Sequence, residues 1–168
     1  MIYVCSLHDM PHHVRTLRVG YLVSLVQPEF QPPTPTSISA DRHLRVAVHD
    51  ISEPEHGGVV PREIHLRRLL AFLQSWPGDE PLLLHCYAGV SRSMAAALIA
   101  LCLEHDGREM EAAQILRAAA PHAQPNARMI ALADQILGRQ GRLVAAKEAM
   151  GPATPVVEGP LVALPSVL

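Results

Sequence analysis

A cysteine and an arginine with five residues between them are the side chains of this sequence best placed to do chemistry. Cys86 follows three leucines and a histidine, and Arg92 precedes a long apolar stretch that begins at Met94. The leucine run is typical of a buried strand, and the Ala- and Leu-rich stretch is typical of a buried helix. The residues between Cys86 and Arg92 are therefore expected to form a short loop that joins a strand to a helix.

A loop in this position favours the binding of an anion. The first N–H groups of a helix have no partners within the helix, and the positive end of the helix dipole lies at the same place. Arg92 adds a planar guanidinium that can hold two oxygens of a tetrahedral oxyanion. The same donors and charge should favour the thiolate form of Cys86, so the loop is interpreted as a nucleophile in an anion cradle. The backbone donors of the cradle are expected from the intervening residues, Tyr87, Ala88, Gly89, Val90 and Ser91.

The pattern His85-Cys86, five residues, Arg92-Ser93 resembles the signature loop of the cysteine-dependent protein tyrosine and dual-specificity phosphatases. The resemblance implies that Cys86 attacks phosphorus to form a phosphocysteine and that Arg92 holds the phosphoryl oxygens. It also implies that the Ser93 hydroxyl helps the thiolate to leave. His85 is expected to order the loop by hydrogen bonding and to help set the thiolate. Gly89 is expected to permit close approach to the phosphoryl group.

The proposed chemistry also needs a carboxylic acid that protonates the leaving oxygen and then, as a carboxylate, activates water. Asp50 ends a predicted strand, and the ends of neighbouring strands converge on the ligand site in open α/β sheets. It also stands about where dual-specificity phosphatases that resemble this chain place their acid. Glu53 and Glu55, on the same loop, are the alternatives.

The order of the predicted elements indicates an α/β fold with a central, mostly parallel sheet flanked by helices and the nucleophile loop between a strand and a buried helix. The predicted strands are Ile2 to Ser6, Tyr21 to Val26, His43 to Asp50 and Leu82 to Leu84. The predicted helices are Pro11 to Val19, one that begins at Pro61, Ser91 to Glu104, Glu109 to Ala119, and one capped by Asn126. The helix that begins at Pro61 is expected to turn inward Ile64, Leu69, Leu70, Leu73 and Trp76. Pro125-Asn126 looks like a pair that opens a late helix in the phosphatases. We expect one catalytic domain over residues 1–150 and a Pro-rich tail or strap over 151–168.

Composition argues against several classes of partner and cofactor. The net charge is −2, with one lysine, Lys147, against thirteen arginines and no basic run, so neither nucleic acid nor an anionic membrane is expected as a partner. Three cysteines suit a reducing compartment, and the histidines lack metal-ligand spacing, so no disulfide, metal or cofactor is expected. Without a leader or a bilayer-length apolar run, the protein is expected to be cytoplasmic.

These features predict a metal-independent phosphomonoesterase whose partner is a phosphorylated protein or peptide, with phosphotyrosine preferred and dual specificity left open. An inositol lipid is not expected, because residues 87–91 carry no positive charge to meet further phosphates. A rhodanese-type sulfurtransferase and a non-catalytic, phosphate-binding pseudophosphatase are the alternatives. The Arg92-Ser93 pair and the Asp50 loop favour phosphate over sulfur transfer, and the intact Cys86 and Arg92 favour catalysis over binding alone.

Overall fold

A five-stranded sheet flanked by helices organises the chain, which the computed structural model describes over residues 1–53, 58–103 and 107–166. The strands are β1 (Ile2–Ser6), β2 (Tyr21–Ser24), β3 (His43–Arg45), β4 (Leu82–Cys86) and β5 (Val162–Leu164). The helices are α1 (Met10–Thr16), α2 (Glu63–Ser75), α3 (Arg92–Leu103), α4 (Glu109–Ala119), α5 (Ala127–Ile136) and α6 (Arg142–Ala149). The strand order is β3-β2-β4-β1-β5, and all neighbours are parallel except β1 and β5. The predicted fold class is therefore confirmed.

The central strand, β4, positions the nucleophile. All five of its residues are buried, with β1 and β2 paired to its two edges. Because successive side chains of a strand point to opposite faces, Leu82 and Leu84 join the core formed with α2 to α6, whereas Leu83 joins a smaller core with α1. Cys86 is the last residue of this strand, so packing on both faces and pairing at both edges fix its position.

The helix that follows the loop, α3, is buried on nearly all sides, as the sequence predicts. Ten of its twelve residues are buried, and it packs against β4 and against α2, α4 and α5. Its first residue is Arg92, one position after the predicted start, and the predicted end at Glu104 lies outside the described residues. The C-terminal end of the nucleophile loop is therefore anchored to a helix that is buried over most of its surface.

The third strand is shorter than predicted. β3 ends at Arg45, although the N–H groups of Val46 and Val48 still donate to the carbonyls of Ser24 and Val26 (2.9 and 3.2 Å). The Val48 N–H also lies 3.1 Å from the Val46 carbonyl, and this local bond ends the regular ladder. The extended segment nevertheless carries the chain along β2 to Asp50.

The inward face of α2 also differs from the prediction. Ile64 is 58% exposed, and Trp76 lies just beyond the end of the helix. As predicted, α2 buries Leu69, Leu70 and Leu73, and it also buries Leu66, while Trp76 is partly buried against the same core. Ile64 lies in the first turn, two residues before this buried stripe, and therefore faces away from it.

Two elements near the C-terminus, α6 and β5, were not predicted. After α6, residues 151–166, here called the C-terminal strap, return to the sheet, where β5 pairs with β1 in the register Ile2 with Leu164 and Val4 with Val162. None of the helices in the described ranges combines the length and the apolarity that crossing a bilayer requires.

Candidate active site

A cleft of about 550 Å³ opens at the carboxyl ends of the parallel strands. The cleft brings together Cys86, Arg92 and Asp50, which sequence reasoning selected, along with four of the five residues between Cys86 and Arg92. It is also lined by residues that sequence reasoning did not select, including Gln27, Phe30, Gln124, Val156 and Val157. The residues chosen by local spacing therefore share one site with residues from distant segments.

The loop between Cys86 and Arg92 is tied to its surroundings through its carbonyl groups. The Leu7 N–H donates to the Tyr87 carbonyl (3.1 Å), and the Gly159 N–H donates to the Ala88 carbonyl (2.8 Å). The Gln124 N–H donates to the Val90 carbonyl (2.9 Å), and the Asn126 N–H donates to the Ser91 carbonyl (3.3 Å). In a planar trans peptide the C=O and the following N–H point in opposite directions. The amides that follow these carbonyls are thus directed away from the flanking segments and toward the inside of the loop, the arrangement that an anion cradle requires.

The position of Gly89 next to β1 leaves room only for a glycine. Its φ is +72°, a left-handed conformation that favours glycine. A Cβ at this position would lie 2.8 Å from the carbonyl carbon of Cys5 and 2.9 Å from the backbone nitrogen of Ser6, both in β1. The structure therefore gives a reason for this glycine in addition to the predicted approach of the phosphoryl group, because β1 leaves no room for a side chain.

The thiol of Cys86 lies at the buried base of the cleft. Its Sγ is 3.1 Å from the Oγ of Ser93, which lies in the first turn of α3, so that hydroxyl can donate to a thiolate. Burial raises the pKa of Cys5, with the Asp9 charge adding to the effect, and burial raises the pKa of Cys102 to about 12. Both of these cysteines are core residues that remain protonated at neutral pH. Of the three cysteines, Cys86 alone lines the cleft.

Arg92 is buried beside the loop and is only partly satisfied. Its Nη1 donates to the Val48 carbonyl (2.7 Å) and to the Gln27 Oε1 (3.3 Å), which fixes one edge of the guanidinium. Its Nε is buried and has no hydrogen-bond partner within the described parts of the chain. Buried donors are almost always paired in native proteins, so this Nε can donate a hydrogen bond to an anion that enters the cleft. Gln27 thus has a positioning role that no local sequence pattern indicates.

Asp50 reaches the cleft and is held at one oxygen. Its Oδ1 accepts hydrogen bonds from the Ser91 Oγ (2.7 Å) and the Asn126 Nδ2 (2.9 Å). Asn126 also caps α5, as predicted, by accepting from the Met129 N–H (3.0 Å). One asparagine therefore links the start of α5 to the carboxylate, a second role that its prediction as a cap did not include.

The two alternative acids differ from Asp50. Glu53 is exposed and does not line the cleft, and Glu55 lies outside the described residues. Across the described ranges, no group of three or more His, Cys, Asp or Glu side chains is arranged to hold a metal ion.

His85 lies beneath the loop in a hydrogen-bonded chain of side chains. The Ser24 Oγ is 2.6 Å from the Nε2 of His85 and 2.8 Å from the Nε2 of His43, whose Nδ1 is 2.9 Å from the Thr34 Oγ1. Burial is the main cause that lowers the pKa of each histidine to about 4. Both imidazoles are therefore neutral at neutral pH, and His85 contributes hydrogen bonding and no positive charge to the site.

The chain matches no protein-family model and no curated protein sequence. Its fold is similar to that of solved phosphatases. The PTP-2 phosphatase of Cydia pomonella is 23% identical, with a TM-score of 0.60 over 80% of this chain and 84% of that one. DUSP15 is 18% identical, with a TM-score of 0.60 over 89% and 87% of the two chains. PTPMT1, solved in complex with PI(5)P, is 16% identical, with a TM-score of 0.62 over 87% and 94%. At these identities the likeness shows that the chain shares the fold of these phosphatases.

The two buried histidines predict a loss of stability in acid. An imidazole whose pKa is lowered from 6.5 to about 4 on folding stays neutral in the native state while the unfolded chain takes up a proton. Stability is therefore full above the unfolded pKa and is lost as the pH falls below it. Between about pH 7 and about pH 5, urea unfolding should show a loss on the order of 2 kcal/mol for each histidine, although the two share one network and need not add.

The control is a histidine on the surface. The His43→Gln protein should lose less unfolding free energy over this pH range than the native protein. His12 lies on the exposed side of α1, so the His12→Gln protein should lose as much unfolding free energy as the native protein. Equal losses in all three proteins would show that His43 is not kept neutral by the fold.

Proposed function

We propose that this protein is a metal-independent phosphomonoester hydrolase that acts on phosphorylated proteins or peptides through a phosphocysteine at Cys86. The observation that carries the proposal is the Nε of the buried Arg92, which has no partner among the described residues and lies beside a loop in which the carbonyls of Tyr87, Ala88, Val90 and Ser91 accept hydrogen bonds from outside the loop. A phosphoryl group would accept hydrogen bonds from both the guanidinium and the inward amides. The fold shared with solved phosphatases supports the same assignment.

The proposal assigns each catalytic step to a residue of this site. The Cys86 thiolate forms a bond to phosphorus while the bond to the leaving oxygen breaks, and Asp50 gives that oxygen its proton. In the second step the Asp50 carboxylate takes a proton from water, and the water oxygen attacks the phosphocysteine. The sulfur–phosphorus bond then breaks, and the Ser93 hydroxyl, 3.1 Å from the sulfur, stabilises the departing thiolate.

The acid is prepared for this role by the way it is held. Ser91 and Asn126 both donate to the Oδ1 of Asp50, which leaves Oδ2 as the oxygen to carry the proton. The same contacts bring the carboxylate to the mouth of the cradle. This placement favours phosphoryl transfer over the sulfurtransferase alternative, because sulfur transfer does not require protonation of a leaving alkoxide or phenolate.

The charge of the cleft favours a single phosphate on a protein side chain. Among the described residues that line the cleft, Arg92 is the only arginine or lysine. PTPMT1 has been solved with PI(5)P, so this fold can bind an inositol lipid, but here no second arginine or lysine is found among the described residues of the cleft to meet a further phosphate. A phenolate is a better leaving group than an alkoxide, so phosphotyrosine is the preferred substrate, and the open cleft also admits phosphothreonine.

A hydrolysis assay in EDTA tests this proposal. The native protein should cleave a phosphotyrosine peptide faster than a phosphothreonine peptide, and inositol phosphates more slowly, at equal concentrations. Cys86→Ser should abolish turnover while still binding vanadate, because the loop amides and Arg92 are unchanged. Cys102→Ala, which changes a buried thiol at a distance from the cleft, is the matched control and should remain active.

Two results would contradict this proposal. Full activity of Cys86→Ser would exclude the covalent intermediate, and a clear kcat/KM advantage for an inositol phosphate would overturn the assigned substrate class.

The role of Asp50 predicts a specific effect on the pH profile. Asp50→Asn should lower turnover of a phosphotyrosine peptide by roughly 10²-fold or more and should flatten the basic limb of the profile, since the proton donor is lost. Glu53→Gln, which changes an exposed carboxylate on the same loop, should leave both unchanged. If Glu53→Gln or Glu55→Gln has the larger effect, Asp50 is not the acid.

A further inference from the structure

The C-terminal strap is held against the cleft, although none of its side chains takes part in the chemistry. Backbone groups at its start and at its midpoint are fixed by hydrogen bonds, and its end forms β5. These bonds run from the Arg117 Nη2 to the Gly151 carbonyl (3.2 Å), from the Thr154 N–H to the Pro121 carbonyl (2.9 Å) and from the Gly159 N–H to the Ala88 carbonyl (2.8 Å). The segment between Thr154 and Gly159, which includes the cleft residues Val156 and Val157, is therefore held by hydrogen bonds at both ends.

The contact between Gly159 and the nucleophile loop leaves no space for a side chain. A Cβ on Gly159 would lie 2.7 Å from the Nε2 of His122 and 3.0 Å from the carbonyl oxygen of Gly89. The strap backbone thus packs directly on the loop that follows Cys86. The residues just before Gly159 are therefore held at a fixed position relative to this loop.

Two valines of the strap line the cleft and remain open to solvent. Val157 is 97% exposed and Val156 is 41% exposed. On the same cleft, Phe30 and Tyr87 are also exposed, and their ring centroids lie 5.4 Å apart. We call these four residues the apolar rim. Exposed apolar side chains that gather at the mouth of a polar cleft mark a surface that a ligand covers.

We propose that Val156 and Val157 are specificity residues, and that the strap packs them against the aromatic ring of a phosphotyrosine side chain whose phosphoryl group occupies the loop. The proposal rests on the proposed function and adds a contribution from substrate binding at the strap to the preference for phosphotyrosine. An aromatic ring offers a large apolar surface to the rim. A phosphothreonine side chain offers only a methyl group, so it gains little from these valines. The phosphoryl group itself is held by the loop and Arg92, apart from the rim.

Binding measurements separate the rim from the chemistry. Isothermal titration calorimetry would compare inorganic phosphate with a peptide that carries a non-hydrolysable phosphonate analogue of phosphotyrosine. Val157→Asn should weaken binding of the phosphonate peptide about 5- to 10-fold, through lost apolar contact, and should change phosphate binding less than about twofold. Leu161→Asn, on the strap but outside the cleft, should leave both affinities unchanged. Both side chains are exposed, so neither substitution should prevent folding.

Three outcomes would overturn the proposal: unchanged peptide affinity in Val157→Asn, an equal loss for phosphate and for the peptide, or an equal effect of Leu161→Asn. Because binding needs no turnover, the result is distinct from a failure of the proposed function. A native protein that hydrolyses phosphotyrosine but is indifferent to Val157→Asn would contradict the strap assignment alone. A selective loss of peptide binding in a protein without hydrolase activity would support the strap and contradict the hydrolase.

Discussion

The rest of the site depends on the hydrogen bonds that carbonyl groups between Cys86 and Arg92 accept from segments outside the loop. A buried backbone carbonyl must find a donor, and only when that donor lies outside the loop can the neighbouring N–H groups turn inward together. The donors come from the turn after β1, from the connection between α4 and α5, and from the strap. Three segments that are distant along the chain are therefore needed to shape one loop of five residues.

The charges of the site are arranged around the same loop. Arg92 is buried in the first turn of α3 with one edge held by Gln27 and the Val48 carbonyl. The histidines beneath the loop are neutral, so the positive potential comes from the guanidinium, the inward amides and the start of α3. This potential favours an anion in the cleft that Cys86 and Arg92 line. The Asp50 carboxylate also lines the cleft, where it is held by hydrogen bonds from Ser91 and Asn126 rather than by an ion pair with Arg92.

The parts of this structure that sequence reasoning could predict are those encoded by local spacing. β1 and α4 have the predicted bounds, and Cys86, Arg92 and Asp50 meet because strand ends converge. Contacts between distant residues were missed: Gln27 lies 65 positions from Arg92 and Asn126 lies 76 from Asp50, so neither pair leaves a periodic pattern. For the same reason, the sequence does not distinguish whether residues 151–168 form a free tail or a strap across the domain. Its prolines predict irregular backbone, whereas its course is fixed by partners such as Ala88 and β1.

The most direct test of the central claim is to identify the residue that carries the phosphoryl group during turnover. An aryl phosphate with a good leaving group needs no acid for the first step, so Asp50→Asn should form the intermediate and be slow to hydrolyse it. Rapid denaturation during turnover, followed by mass spectrometry of the peptides, should find one phosphoryl group on Cys86. A phosphoryl group on any other residue, or continued turnover with Cys86 unmodified, would contradict the account.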